Sequence, residues 1–253
     1  MNENKDCSVV ILAAGQGKRM NNPDLPKVLA DLKGKPLLSY VLDVSNEIKA
    51  SSIITIIGHQ KEIVEEYLKN NYPTVKTAYQ LQQLGTGHAV MQAAEQLNDF
   101  EGNVLILCGD VPLLRTKTIN TFIQIHNKSN ADLSVLSAIT ENPTGYGRIV
   151  RDTDGNFTKI TEQKDASEAV KLIKEINSGI FLVDSKMLFE ALNKISNKNA
   201  QGEYYLTDIV EIFINDNKKC MAFAGVGFDE LQGINSPEDL ARAAKYMSTM
   251  NLK

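Results

Sequence analysis

Apolar positions come in short unbroken runs, and amphipathic segments separate them. Ser8 to Ala13, rich in Val and Ile, is short enough for a buried strand. Ile53 to Ile57, residues 74–79, Val104 to Cys108 and Asp132 to Ile139 read the same way. Helical periods lie between these runs. Pro36 can open a helix at its first turn, and Leu37, Tyr40, Val41, Val44 and Ile48 then share a face. Residues 60–70 read as a polar helix. Thr86 is a candidate N-cap for a helix carrying Val90, Ala93, Ala94 and Leu97 on one side. Ile119, Phe122, Ile123 and His126 form another stripe. Strand and helix in alternation predict a mostly parallel α/β sheet with helices on both faces.

After residue 140 the pattern changes. Strand runs at 147–152, 157–162 and 176–183 leave little room for crossover helices, so antiparallel pairing is expected. This stretch reads as a smaller lobe covering one edge of the sheet. Helices return at 186–194 and 204–215, with a strand at 219–224. The last helix has Ser236 as N-cap, Pro237 at its first position and acids in its first turn. Leu240, Ala243, Ala244 and Met247 line one face.

Candidate chemistry collects where runs end. The first strand stops at Ala14-Gly15-Gln16-Gly17, and Lys18, Arg19 and Lys27 follow. Small residues let a backbone approach a ligand closely, and the cations suit a phosphate at a strand's carboxyl end. The same stretch also reads as a glycine turn beside a solvated basic loop. It matches neither G-x-x-x-x-G-K-[ST] nor G-x-G-x-x-G, because Met20 stands where each needs glycine. Asp110 ends the strand at 104–108; it suits a divalent metal, or a turn in which it bonds its own backbone. Gly85-Thr86-Gly87-His88 is an acceptor-binding helix start or a plain cap. Asn177-Ser178-Gly179 is polar within an apolar strand, as a sugar-binding segment or a bulge. His126, on an apolar stripe, reads as structural, and His59 is open to either reading. No Ser-His-Asp or Cys-His arrangement supports covalent catalysis.

Charge narrows the partners. The net charge of −4 over 253 residues argues against a nucleic-acid backbone. Cys7, Cys108 and Cys220 form no paired spacing, so neither a disulfide framework nor a zinc site is expected. No run reaches the roughly 18 apolar residues of a membrane span, and the polar start lacks a signal core, so a cytoplasmic location is expected.

The order of the motifs LAAGxGxRM, LPKVL, QLGTGHA, GDVPLL, GYGRIVRD, EINSGIF, QGEYYLTD and GINSPEDL resembles the uridyltransferase half of the bacterial bifunctional enzyme that makes UDP-N-acetylglucosamine, a peptidoglycan precursor. The resemblance runs from about residue 8 to 248 and implies the Rossmann-like nucleotidyltransferase fold. It divides the chain into a nucleotide lobe at about 5–139, a sugar-binding lobe at about 140–228 and a closing segment at 229–253. It implies UTP and N-acetylglucosamine 1-phosphate as substrates and Mg²⁺ as cofactor. Leu12, Ala13, Ala14, Gly15, Lys27, Cys108, Gly109 and Asp110 would line the nucleotide. Gln80, Gly85 and Thr86 would read the uracil. Arg19 and Lys27 would neutralise the triphosphate and the leaving diphosphate. Asp110 and Asn235 would hold the metal. Gly147, Glu162, Asn177, Glu203, Tyr205, Thr207 and Asn235 would meet the sugar.

This sequence departs from the family in places. Lys18 stands where the family has Thr, Cys108 where it has Tyr, and the loop before Leu25-Pro26-Lys27 is one residue longer. The hexapeptide-repeat β-helix that carries acetyltransfer and builds the family's trimer does not follow, so acetyltransfer is not expected and oligomeric state is left open. Another sugar 1-phosphate (glucose or N-acetylgalactosamine) and a catalytically silent sugar-nucleotide-binding subunit are the rival readings.

Overall fold

The computed structural model describes residues 5–20, 22 and 24–250. Lys18's side chain and Asn21 and Pro23 of the longer loop lie outside that description. The strands are β1 (Cys7–Ala13), β2 (Asp31–Leu32), β3 (Lys35–Pro36), β4 (Ile53–Ile57), β5 (Lys76–Tyr79), β6 (Asn103–Cys108), β7 (Leu133–Ile139), β8 (Arg148–Arg151), β9 (Phe157–Thr161), β10 (Glu175–Asp184) and β11 (Cys220–Phe223). The helices are α1 (Leu37–Glu47), α2 (Lys61–Asn71), α3 (Thr86–Met91), α4 (Thr116–Ser129), α5 (Glu168–Lys171), α6 (Ser185–Leu192), α7 (Ile209–Asn215), α8 (Phe228–Leu231) and α9 (Pro237–Met250).

The main sheet runs β11-β7-β10-β6-β1-β4-β5. β1 lies between β4 and β6, parallel to both. Its alternate residues feed opposite layers. Val10 packs with α3, α6 and α7 through Val90, Leu188 and Val210. Val9 and Ile11 pack with α1, α2 and α4 through Val41, Val64 and Phe122. Both faces are covered, which is why this strand reads as a continuous apolar run and not as an alternation.

Four expectations need correction. The 140–228 stretch is not a lobe laid on one edge. β10 runs antiparallel inside the sheet between β6 and β7, and β11 extends the sheet parallel to β7. Ile180 to Val183 are buried on both faces, which an edge strand could not achieve. Only the β8–β9 hairpin stands off, joined to β10 at Ile176 and Arg148. Second, Gly85 rather than Thr86 is the N-cap of α3. Thr86 Oγ1 instead accepts the Leu206 N–H at 3.0 Å, a tertiary bond with no sequence signal. Third, α3 ends at Met91, so Ala94 falls on the exposed side. Fourth, the helix expected at 204–215 begins with a 3-10 turn at Leu206–Asp208, and α7 proper starts at Ile209.

His126 behaves as a core histidine. It is 3% exposed, with Nδ1 2.8 Å from Ser134 Oγ. Burial, aided by Lys5, pushes its pKa down to about 4. An unfolded histidine titrates near about 6.5, so below that pH the unfolded chain binds a proton that the folded ring refuses. This contribution to stability is present above pH ~6.5 and is lost as pH falls toward the folded value. Tm followed over that window is expected to drop more steeply for the parent than for His126→Gln. Parallel curves would remove His126 as the source.

Candidate active site

β1, β4, β5 and β6 point the same way, so their carboxyl ends share one rim of the sheet. The register sets Leu12 beside Cys108 and Ala13 beside Ile57. The glycine loop after β1, Gln80 after β5 and Gly109-Asp110 after β6 therefore emerge together. They enclose a cleft of about 280 Å³, lined by Leu12, Ala13, Ala14, Gly15, Lys27, Val28, Gln80, Gln83, Gly85, Thr86, Ala89, Cys108, Asp110 and Glu203. Of the residues expected to line the nucleotide or read its base, only Gly109 does not line the cleft; Arg19, expected at the triphosphate, does not line it either. Gly109 is buried in the floor, and its N–H donates to the Leu12 carbonyl at 2.9 Å.

One wall of the cleft is a fixed surface of amides. Gln80 is 4% exposed, and its Nε2 donates to Gly85 O at 2.9 Å. His88 Nδ1 lies 3.1 Å from the same nitrogen and so helps orient the amide. The loop is pinned to a distant segment: Tyr204 N–H donates to Leu84 O, and Gly87 N–H to Tyr204 O. Gln83 was not singled out from the sequence. It lies inside the QLGTGHA approach, bonded to Gln16 and, through Nε2 at 3.2 Å, to the Ala14 carbonyl.

Of the residues expected to meet a sugar, Glu203 lines this cleft with Cys108, while Gly147, Glu162, Asn177 and Thr207 contact one another. Glu162 Oε1 accepts from Thr207 Oγ1 at 3.1 Å. A Cβ on Gly147 would lie 3.4 Å from both Glu162 oxygens, so the missing side chain leaves that carboxylate uncovered. Burial raises the Glu162 pKa, opposed by the Thr207 hydrogen bond, with the Asp165 and Glu203 carboxylates adding to the rise. Asn177 N–H donates to Gly147 O at 2.9 Å. The polar break in β10 is a bulge, as its register shift shows. Ser178 donates to Leu136 O and accepts from Ile180 N–H, so its hydroxyl is engaged within the fold. Gly179 has φ +81°, and a Cβ there would sit 2.8 Å from Cys108 Sγ. Burial pushes the Cys108 thiol up to about 12, so it stays protonated. Tyr205 is 6% exposed and its hydroxyl donates to Asp165 at 3.1 Å, so it braces the wall from behind.

Lys27 lines the first cleft, and its partner Asn235 lines a second. Lys27 Nζ donates to Asp110 Oδ2 and, at 3.0 Å, to Asn235 Oδ1. Asn235 comes from the far end of the chain, held by the Ile234 N–H bond to Asp110 O at 2.9 Å. Arg19, expected beside Lys27 at the triphosphate, does not line the first cleft. It lines the second cleft, of about 400 Å³, with Tyr146, Gln232, Asn235, Asp239 and Arg242. His59 is exposed after β4, and no triad of His, Cys, Asp or Glu suited to a metal occurs among the described residues.

Residues 8–235 match the family described as Nucleotidyl transferase. The chain is 49% identical over 238 residues to the Bifunctional protein GlmU of Caldanaerobacter subterraneus subsp. tengcongensis, covering 94% of this chain and 51% of that protein. It is 45% identical to the protein of the same name from Geobacillus sp. (strain WCH70), over the same shares. The chain thus spans about half the length of the curated relatives it matches. A structure of UDP-glucose pyrophosphorylase complexed with UDP-glucose superposes with a TM-score of 0.77 over 97% of this chain and 99% of that one. At 18% identity that likeness speaks to the fold alone. With its α/β sheet, its strand-end clefts and a match that runs from Ser8 to Asn235, the chain belongs to the nucleotidyl transferase family.

Proposed function

We propose that this chain transfers a uridylyl group from UTP to N-acetylglucosamine 1-phosphate, giving UDP-N-acetylglucosamine and diphosphate. The observation that carries this reading is the meeting of Lys27, Asp110 and Asn235 at the cleft of about 280 Å³ that Lys27 and Asp110 line. Identities of 45–49% with proteins named Bifunctional protein GlmU support it.

An oxygen of the sugar phosphate attacks the α-phosphorus of UTP. The bond from that phosphorus to the bridging oxygen breaks, and its electron pair leaves with diphosphate. The attacking oxygen is already anionic, so no general base is needed, and positioning and charge neutralisation dominate. Lys27 donates to the anionic oxygens. Gln80 and the N–H groups of the Gly85 loop select the base edge. Glu162 accepts from sugar hydroxyl or amide donors, with Asn177 beside it.

Asp110 and Asn235 fit a cation. Their oxygens already face one positive atom, Lys27 Nζ, and two oxygen ligands leave positions for phosphate and water, as Mg²⁺ requires. Bound there, Mg²⁺ would neutralise charge on the phosphates.

Diphosphate release from purified protein tests the reading, with UTP, CTP, ATP and dTTP against N-acetylglucosamine, N-acetylgalactosamine and glucose 1-phosphates, with and without chelator. Release confined to UTP and the N-acetylglucosamine ester, and lost with chelator, is the expected outcome. Silence in every pair from a folded, nucleotide-binding protein would leave a binding subunit in its place. Glu162→Gln is expected to raise KM for the sugar phosphate about tenfold while leaving KM for UTP near the parent value, because one charged acceptor is lost on the sugar side only. Equal losses for both substrates would take Glu162 out of sugar recognition.

A further inference from the structure

The first residue of β8 is a buried cation that the reading above does not use. Along this strand Ile149 enters the core with Phe157 and Ile160, and Arg148 takes the opposite side of the hairpin by simple alternation. Arg148 is nonetheless 1% exposed. A buried charge is costly unless it is paired or well hydrogen-bonded. No carboxylate pairs with Arg148 among the described residues, and its Nε has no partner there.

What the guanidinium holds is backbone and amide oxygen. Nη1 donates to Tyr146 O, and Nη2 to Gln163 Oε1 at 2.8 Å and to Lys171 O at 3.4 Å. Gln163 Oε1 also accepts the Gly145 N–H at 3.1 Å, so the turn before β8 is gripped at two successive residues. The Tyr146 ring packs edge-on against Phe228, at 5.5 Å between centroids, but a ring contact does not set the direction of the carbonyl. That carbonyl shares a planar trans peptide with the Gly147 N–H, so the two point opposite ways. Gly147 is buried, and its N–H makes no hydrogen bond among the described residues. Buried backbone donors seldom stay unpaired. This one belongs to the residue whose Cβ position faces both Glu162 oxygens and whose carbonyl accepts from Asn177 N–H.

We propose that Arg148 is a positioning residue for the sugar phosphate: by fixing the Tyr146 carbonyl it aims the Gly147 N–H at a sugar oxygen beside Glu162. The assignment rests on the uridyltransfer reading. An apolar side chain could fill the same space with less desolvation, but it would leave the peptide plane unheld. A lysine could hold one carbonyl, whereas the planar fork of an arginine reaches the turn, Gln163 and the end of α5 together.

The test is uridyltransfer by Arg148→Met, Arg148→Lys and Gln163→Leu, with amide hydrogen exchange on each folded protein. Arg148→Met is expected to raise KM for N-acetylglucosamine 1-phosphate about tenfold, as loss of one aimed donor does, with KM for UTP within about twofold. Arg148→Lys should recover part of the loss. The Gly145 and Asn177 amides should exchange faster in Arg148→Met, while those of β1 and β6 keep the parental rates. Gln163→Leu retains the arginine and should give the same split between substrates, so the answer does not depend on Arg148→Met folding. An unchanged KM for the sugar phosphate in Arg148→Met and Gln163→Leu overturns the proposal. Equal losses on both substrates do so too, because the arginine would then serve the fold as a whole. A parent that binds nucleotide but turns nothing over ends the uridyltransfer reading, and the exchange rates then decide the clamp: unchanged Gly145 and Asn177 amides rule it out.

Discussion

Lys27→Ala is expected to fold and to lose about 10²–10³ in the rate of diphosphate release. Lys27 is held between Asp110 and Asn235 with 12% of its side chain exposed, and Asp110 keeps 17%. The pair borders an open cleft, so water reaches a carboxylate left without its lysine. The stability loss should therefore fall short of the about 3–5 kcal/mol that breaking a deeply buried pair costs. The rate is affected far more, because the missing charge faced the phosphates where negative charge moves in the transition state. Asp110→Ala should lose comparable rate by removing the other half of the contact. Rates should be measured at saturating substrate alongside far-UV circular dichroism and Tm. A folded Lys27→Ala protein with near-parental turnover would remove the lysine from the mechanism. Lys27→Arg keeps the charge but not the compact ammonium between two oxygens, so only partial recovery is expected.

Gly85→Ala should be the most damaging of the glycine changes for nucleotide binding, raising KM for UTP by about 10²-fold through misplacement of the loop. Gly85 has φ +109°, a region that side chains rarely adopt. A Cβ there would sit 2.5 Å from Tyr204 O and 2.9 Å from Tyr204 N. Both are backbone atoms, in a segment held by the Leu84 and Gly87 hydrogen bonds, so they cannot yield cheaply. The loop must move instead, and the Gln80 bond to Gly85 O moves with it. Gly15→Ala is the internal comparison. Nothing lies within 4 Å of a Cβ at Gly15, so that variant should keep the parental Tm. Equal Tm and equal KM for UTP in both variants would show that the Gly85 loop adjusts freely.

The helix start at Thr86 shows how local and distant forces divide. Gly before Thr at the head of a helical stripe reads as a threonine cap, because a hydroxyl at that place ordinarily bonds its own helix. In the folded chain the hydroxyl accepts from Leu206 N–H instead. A partner 120 residues away leaves no mark in a local window. The same limit hid Gln83 and His88, whose partners are Ala14 and Gln80, and Arg242, which reaches the second cleft only because α9 packs against Met20.

The sequence by itself determined the strands of the main sheet, though not the short β2–β3 pair. Runs such as Ser8 to Ala13 and Val104 to Cys108 are apolar on both faces, and only a sheet covered on both sides can satisfy that. It also determined where chemistry collects, since glycines, Asp110 and Gln80 stand where such runs stop. Strand order and pairing were decided in three dimensions. β10 has the composition of any buried strand, and nothing within its ten residues says that it enters antiparallel between β6 and β7. That placement brings Gly179 beside Cys108, a residue of the cleft lining. The meeting of Lys27 with Asn235 is likewise tertiary. It depends on the Ile234 bond to Asp110 and on the packing of α9, contacts whose closure across the whole chain is fixed only when the core assembles.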